Sequence, residues 1–175
     1  PQAVIYPAEG EDLTRLMRVA QKPEFIGLQF APRGGGTGTN GQSLNRCITI
    51  DTSRFMNQIL SIDADKLEVV VQPGVVLDQL NAALEPLGLF FPPNVSTSSR
   101  ATIGGMVSTD ASGKGSRLYG KTSDYVNGLQ MVMSDGSALC TQTYDQLSDR
   151  MMAAIEQVKR SITGHQDEIE ARFPK

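Results

Sequence analysis

The chain has 175 residues, a net charge of −3 and 39% hydrophobic residues, enough for one ordinary domain or two small lobes sharing an interface. It has no long block of like charge, no Trp, and only four Tyr and six Phe, so base-stacking platforms and a nucleic-acid partner are not expected. No apolar run nears the roughly 18 residues of a membrane helix and no signal-peptide core is present; Pro1 in place of Met reads as an excised piece of a longer protein.

Residues 3–7, AVIYP, form a short β-branched and aromatic run that a proline ends, which predicts a strand. In GEDLTRLMRVAQ the residues Leu13, Leu16, Met17 and Ala20 repeat at helical spacing behind the acids Glu11 and Asp12, which favour the positive end of a helix dipole. EFIGLQFAP at 24–32 predicts a second strand running straight into a glycine loop, so the start of the chain reads as a βαβ unit. CITIDTSR predicts another strand. QILSIDADKLEVVVQPG predicts two more around an Asp-Ala-Asp-Lys turn, with the run Val69 to Val71 typical of a strand buried on both faces.

VLDQLNAALEPLG puts Leu77, Leu80, Leu84 and Leu87 on one helical stripe, with Pro86 tightening its last turn and Gly88 near the C-cap. From 92 to 123 the pattern gives way to Ser, Thr, Gly and Pro with few apolar anchors, which reads as a long functional or disordered loop. LQMVMSDGSALCT is a hairpin signal around Asp135-Gly136. From about 146, Met151, Ile155, Val158 and Ile162 share one helical face, and Gly164 interrupts that helix before HQDEIEARF. No internal repeat is visible.

Side chains for autonomous chemistry are scarce. Cys47 and Cys140 stand far apart without C-x-x-C spacing and read as small strand fillers. The single histidine, His165, lies in a polar surface context. A zinc site or a Ser-His-Asp triad would need residues that the chain lacks, so any chemistry would belong to a cofactor.

FAPRGGGTGTNGQSLNR, residues 30–46, holds five glycines from Gly34 to Gly41, and Gly36, Gly38 and Gly41 spell G-x-G-x-x-G. A Rossmann loop needs a helix opening directly behind the glycines and an acid about 20 residues on. Here a turn and a strand follow, and Asp51 comes too early. A plain linker leaves Arg33, Thr37 and Thr39 unexplained. The reading that fits is a nest, in which glycine N–H groups turn inward toward an anion that no Cβ blocks, Thr37 and Thr39 add hydroxyls, and Asn40 takes a left-handed conformation or caps the turn. The second cluster, ATIGGMVSTDASGKG, is expected to expose further donors at Thr102, Gly104, Gly105, Ser108, Ser112 and Gly113. Two such cradles suit a long ligand between two lobes; by chemistry alone it is a pyrophosphate, a nucleotide or another doubly charged group.

The ordered set PRGGGTGTNG, EVVVQPGV, FFPPNVSTSSRATIGGMVSTDASG, YGKTSDYVNGL and SDG, spread from Val4 to about Thr141, resembles the FAD-binding domain of the p-cresol methylhydroxylase and vanillyl-alcohol oxidase type. Within that type it is most similar to the bacterial FAD-linked D-2-hydroxyacid dehydrogenases, the D-lactate, glycolate and D-2-hydroxyglutarate group, in the large form with a C-terminal iron–sulfur region. The resemblance implies an α+β fold: a small βαβ lobe over about 1–70, a larger mixed-sheet lobe with flanking helices over about 71–175, and FAD extended between them. The family's substrate domain, with its catalytic base and metal, would lie beyond this chain, which is then expected to hold FAD at best weakly and not to turn over substrate.

The resemblance carries the pyrophosphate site onto Gly34, Gly35, Gly36, Thr37, Gly38 and Thr39, bordered by Arg33 and Asn40. It carries the isoalloxazine and ribityl contacts onto Pro92, Ser98, Ser99, Thr102, Gly104, Gly105 and Ser108. Gly113, Tyr119, Gly120 and Val126 match positions that line the adenosine side or fix the loop, Tyr119 alternatively being a packing residue with its hydroxyl tied to the backbone. Relatives with covalent flavin use a histidine in the glycine loop; this loop has none, so the FAD is expected to be non-covalent. Asp110 stands where many relatives have Asn, and is expected to turn inward to backbone donors rather than touch FAD. The implied activity is oxidation of a D-2-hydroxyacid in the full-length parent, cytoplasmic or peripheral to a membrane. An aldonolactone, alcohol or cell-wall sugar oxidase or reductase, or a non-catalytic nucleotide-binding module, are the alternatives.

Overall fold

The computed structural model describes residues 1–143, 147 and 149–173. The chain divides into two compact units, one made of Pro1–Asn127 with Val132–Ala138, the other of Gly128–Met131 with Leu139–Lys175.

The first unit begins with strand β1, Ala3–Ile5, and helix α1, Gly10–Ala20. Asp12 Oδ2 accepts the N–H groups of Ala8 and Glu9 at 2.9 and 3.3 Å and so closes the start of α1. EFIGLQFAP is only partly a strand. Pro23–Phe25 form a 3₁₀ turn, and β2 covers Phe30–Arg33 alone. Pro23 supplies the helical φ that starts the turn, and Gly27, at φ +94°, reverses the chain before β2 begins. Strand β3, Ile48–Asp51, enters between its predecessors to give the order β1-β3-β2, parallel throughout. The βαβ unit therefore exists with a later strand inserted in it.

Strands β4, Ile59–Asp63, and β5, Glu68–Val71, pair antiparallel. Asp63 carries their turn: its Oδ1 accepts from Lys66 N at 3.0 Å. The valine run is not buried on both faces. Val69 and Val71 pack against the core while Val70 is 52% exposed, because a two-stranded ribbon has only one partner face.

The core forms around helix α2, Leu77–Leu84. Val75, Leu77, Leu80, Leu84, Ala101, Ile103 and Met106 are buried together, with Ile59, Ile62, Val69, Val71, Leu89 and Phe91 packed on them. Leu87 belongs to the sequence stripe but is half exposed. The 3₁₀ turn Glu85–Leu87, begun by Pro86, rotates it off the helical face before Gly88, at φ +69°, ends the helix.

The segment 92–123 is not an unstructured loop. It contains helices α3, Ile103–Ser108, and α4, Ser116–Tyr119, and a 3₁₀ turn over Thr122–Tyr125. Few apolar residues sufficed, since Pro93, Ala101, Ile103 and Met106 are all buried. Strands β6, Gln130–Val132, and β7, Ala138–Cys140, form the expected hairpin around Asp135-Gly136.

In the second unit, helix α5, Asp149–Gly164, is followed by α6, Gln166–Arg172, with His165 between them, its Nδ1 2.8 Å from Ser161 O. The expected start of this helical stretch near 146 lies outside the described residues. Cys47 and Cys140 are free thiols. Among the described residues no helix is long and apolar enough to cross a membrane.

Leu80→Ala is expected to lower the unfolding free energy by about 2–5 kcal/mol, the range for emptying a well-packed apolar site. Leu87→Ala should change it by no more than about 0.5 kcal/mol. Chemical denaturation of the two variants beside wild type checks this assignment of the stripe.

Candidate functional site

The second glycine segment is set in place by main-chain pairing with residues 73–78. Leu77 N donates to Ala101 O at 2.9 Å, Ile103 N to Val75 O at 2.8 Å, Gly104 N to Pro73 O at 2.8 Å and Asp78 N to Ser98 O at 3.2 Å. This ladder anchors 98–104 on the N-terminal end of α2, whose buried leucines make it rigid. Thr102 then caps α3, its Oγ1 accepting from Gly105 N at 3.3 Å.

This pairing corrects one expectation. Thr102, Gly104 and Gly105 do not present free donors: the N–H groups of both glycines are taken by the chain, and Thr102 is 2% exposed. Ser108 is exposed, but its hydroxyl donates to Gly104 O at 2.8 Å. A capped helix consumes the donors that an open loop would have displayed. Pro92 and Ser98 are half-buried and Ser99 is exposed beside them.

The first glycine loop leaves β2 and runs against this segment. A Cβ on Gly34 would overlap Thr102 Oγ1, and one on Gly35 would overlap the Arg100 carbonyl. The two clusters thus meet at 34–35 and 100–102, Gly34 against the Thr102 side chain and Gly35 against the Arg100 backbone, where only glycine lets the chains approach. Gly36 follows at φ +67°, with the Arg33 guanidinium carbon 3.0 Å from where its Cβ would stand. Arg33 Nη1 also donates to Ser43 O at 3.4 Å and so folds over the loop it precedes.

Beyond Gly36, Thr37 is half-buried, while Gly38, Thr39 and Asn40 are exposed. Asn40 is not left-handed; among the described residues, the positive-φ residues other than glycine are Leu67 and Asp110. Its N–H instead donates to Gln42 Oε1 at 2.9 Å, a side-chain closure of the turn that makes the left-handed conformation unnecessary.

One feature of this loop is unusual. Among the described residues, none of the N–H groups from Gly34 to Thr39 donates to a protein atom, and neither do the hydroxyls of Thr37 and Thr39. Backbone donors that stay unpaired over such a run need water or a ligand. The stretch 30–46 also contains Arg33 and Arg46 and no acid, so the charges borne by the loop itself do not oppose an anion. A set of unpaired N–H groups, without Cβ atoms on four of the six residues, is the donor chemistry that a pyrophosphate accepts.

The remaining residues gather elsewhere in the first unit. A Cβ on Gly113 would overlap Asn94 O, so the loop after α3 lies tight on residues 94–95. Tyr119 packs edge-on to Phe90 at 5.8 Å, and its carbonyl accepts from the Tyr125 hydroxyl at 2.7 Å, while Tyr125 packs on Phe91. The hydroxyl tied to the backbone is therefore that of Tyr125, not of Tyr119. Gly120, at φ +69°, adjoins Asp124, and Val126 is half-buried.

Asp110 turns to a backbone donor as expected: its Oδ1 accepts from Ser123 N at 2.9 Å. Sequence reasoning missed its other partner, Lys121, whose ammonium donates to Oδ2. The missed residues Gln42, Ser43, Arg100 and Lys121 act through carbonyls or long side chains, and only the Lys in GKTSDY offered any signal. The Lys121 hydrogen bond, with that from Ser123 N, holds the Asp110 carboxyl below its ordinary value of 3.8; Asp110 in turn raises Lys121 above 10.5.

The FAD binding domain family matches residues 1–141. The chain belongs to that family. It is 47% identical over 183 aligned positions to the D-2-hydroxyglutarate dehydrogenase of Pantoea ananatis, covering 100% of this chain and 18% of that protein. With the D-2-hydroxyglutarate dehydrogenase of Escherichia coli it shares 51% over 142 positions, 81% of this chain and 14% of the relative. The glycolate oxidase subunit GlcD of Bacillus subtilis is 35% identical over 145 positions, 81% of this chain and 30% of that one. Among solved structures, alkyldihydroxyacetonephosphate synthase matches with a TM-score of 0.68 at 26% identity, over 78% of this chain and 25% of that protein. The fold is the α+β FAD-binding type. This chain spans less than a fifth of the length of these two D-2-hydroxyglutarate dehydrogenases, and the unpaired donors of 34–39 fit the phosphates of the FAD that the family implies.

The Asp110 contacts form above the ordinary carboxylate value and are lost as pH falls through the lowered one; the Lys121 part is lost again as pH rises through its raised value. Exchange protection of the Ser123 amide is therefore expected to hold across neutral pH and to fall in acid below 3.8. Asp110→Ala should lose that protection at every pH, measured by amide hydrogen exchange.

Proposed function

We propose that this chain is the FAD-holding portion of a flavin-dependent dehydrogenase, and that its first glycine loop holds the pyrophosphate. The observation that carries this reading is the run of unpaired N–H groups from Gly34 to Thr39. In it Gly34, Gly35, Gly36, Thr37, Gly38 and Thr39 face the phosphates, Arg33 supplies positive charge, and Asn40 closes the far side. The segment with Pro92, Ser98, Ser99, Thr102, Gly104, Gly105 and Ser108 flanks the flavin and ribityl chain, and Gly113, Tyr119, Gly120 and Val126 flank the adenosine. The FAD is held non-covalently, in keeping with a loop that has no histidine. The two functional lobes divide near residue 70.

FAD held there would supply a hydride acceptor. The work of this chain is to bind and orient it, since its donors are main-chain amides and hydroxyls, which are not acids or bases near neutral pH. For the whole protein we propose oxidation of a D-2-hydroxyacid to the 2-oxoacid. Similarity to D-2-hydroxyglutarate dehydrogenases at 46 to 52% identity, against 35% for the glycolate oxidase subunit, favours D-2-hydroxyglutarate. The base and carboxylate-binding groups belong to residues outside this chain. A cytoplasmic location and no nucleic-acid partner go with that activity.

Titration of the chain with FAD should produce bound flavin absorbance and quenched flavin fluorescence. Gly36→Val should abolish uptake while leaving the circular dichroism spectrum in place, because a β-branched residue at φ +67° forces the loop open. Retained affinity in that variant would show that the loop is only a connection, and a wild-type chain that takes up no flavin would leave a non-catalytic nucleotide-binding module. In the longer protein the bound flavin should bleach with D-2-hydroxyglutarate, D-lactate or glycolate. No bleaching by any of the three would exclude this substrate class.

A further inference from the structure

Thr102 is one of the most buried polar residues of the chain, and its side chain meets both glycine clusters. Its Oγ1 accepts from the N–H of Gly105, the third residue of α3, and the same oxygen fills the place where a Cβ on Gly34 would stand. The methyl and Cβ complete this wall at 3.5 and 3.3 Å from that place. At 2% exposure the side chain has no open surface to offer a cofactor. Its main chain lies in an isolated bridge with Val76, so it inherits the rigidity of the α2 core.

We propose that Thr102 is a positioning residue that sets the path of the first glycine loop through Gly34 while it caps α3, so that the phosphate cradle and the second glycine segment are held as one body. The assignment rests on the reading of residues 34–39 as the FAD cradle. The physical reason is steric. Gly34 is the first residue after β2, and the N–H groups behind it can converge only if the chain leaves the sheet at a set angle. A side chain anchored in the core, pressed on a residue without a Cβ, leaves one such angle open. The cap adds a second demand on the same hydroxyl, because its rotamer must satisfy Gly105 N while it faces Gly34.

A double-mutant cycle in the 175-residue chain tests this. Gly34→Ala should weaken FAD binding about tenfold, since its methyl overlaps Oγ1. Thr102→Ala should weaken it about threefold through loss of the wall and the cap. The pair should bind within about threefold of Thr102→Ala alone instead of about thirtyfold below wild type, because Thr102→Ala vacates the space that the new methyl needs. Thr102→Val combined with Gly34→Ala should show no such relief, as a branch still occupies the wall. Thr102→Ser, which keeps the oxygen and with it the cap on Gly105 N, should weaken binding less than Thr102→Ala does.

The same cycle is read without ligand on the amide chemical shifts of Gly36 to Thr39, which Thr102→Ala should displace more than Thr102→Ser does. Independent, multiplicative effects of the two substitutions on affinity, or shifts of 36–39 indifferent to residue 102, would overturn the assignment. Wild-type chain that takes up no FAD while those shifts still couple 102 to 34 would defeat the cradle reading and leave the interlock standing.

Discussion

The close approach of Gly34 and Gly35 to residues 100–102 is the contact on which the arrangement of the site depends. The first segment has almost no apolar content and cannot organise itself through burial, and of its apolar residues the second buries only Ala101, Ile103 and Met106. They are organised because one is stitched to the core by main-chain hydrogen bonds to 73–78, and the other is pressed onto it where its side chains are missing. The order imposed on 98–104 by the buried leucines of α2 is thereby passed to a loop that has no core contacts of its own.

The two clusters, alike in composition, then play opposite parts. The second spends its donors internally: Gly104 N on Pro73, Gly105 N on Thr102, the Ser108 hydroxyl on Gly104. The first leaves all its N–H groups from 34 to 39 unspent. Donor-rich composition reads the same in both cases. What separates them is whether the local chain closes into a helix, which uses its own N–H groups, or is held open by neighbours, which frees them.

Asp110, Lys121 and Ser123 show a related economy on the far side of α3. Asp110 adopts φ +46°, uncommon for a residue with a side chain, and its carboxylate draws in a backbone N–H and an ammonium. That closure keeps a negative charge neutralised near a segment proposed to flank a cofactor, and it returns the chain toward Thr122, whose buried hydroxyl donates to Ala111 O at 2.6 Å. Surface charge here orders a loop more than it adds stability.

Much of the architecture was legible from residue pattern. The helical stripes of 10–20 and 77–84, the Asp-Ala-Asp-Lys turn, the Asp-Gly hairpin and the break at Gly164 all follow from local chemistry, which acts over a few residues. The errors were of one kind. The run Val69 to Val71, the outlying Leu87, the strand expected at 24–29 and the supposed loop at 92–123 each hinge on what lies across from them, and a linear pattern does not contain that. Residues 30–46 by themselves determine that a donor-rich, acid-free loop follows a strand without a helix behind it. Only the tertiary structure decided which glycines serve close packing and which leave donors free, because a missing Cβ looks the same in sequence whether its place is taken by Thr102 or left open.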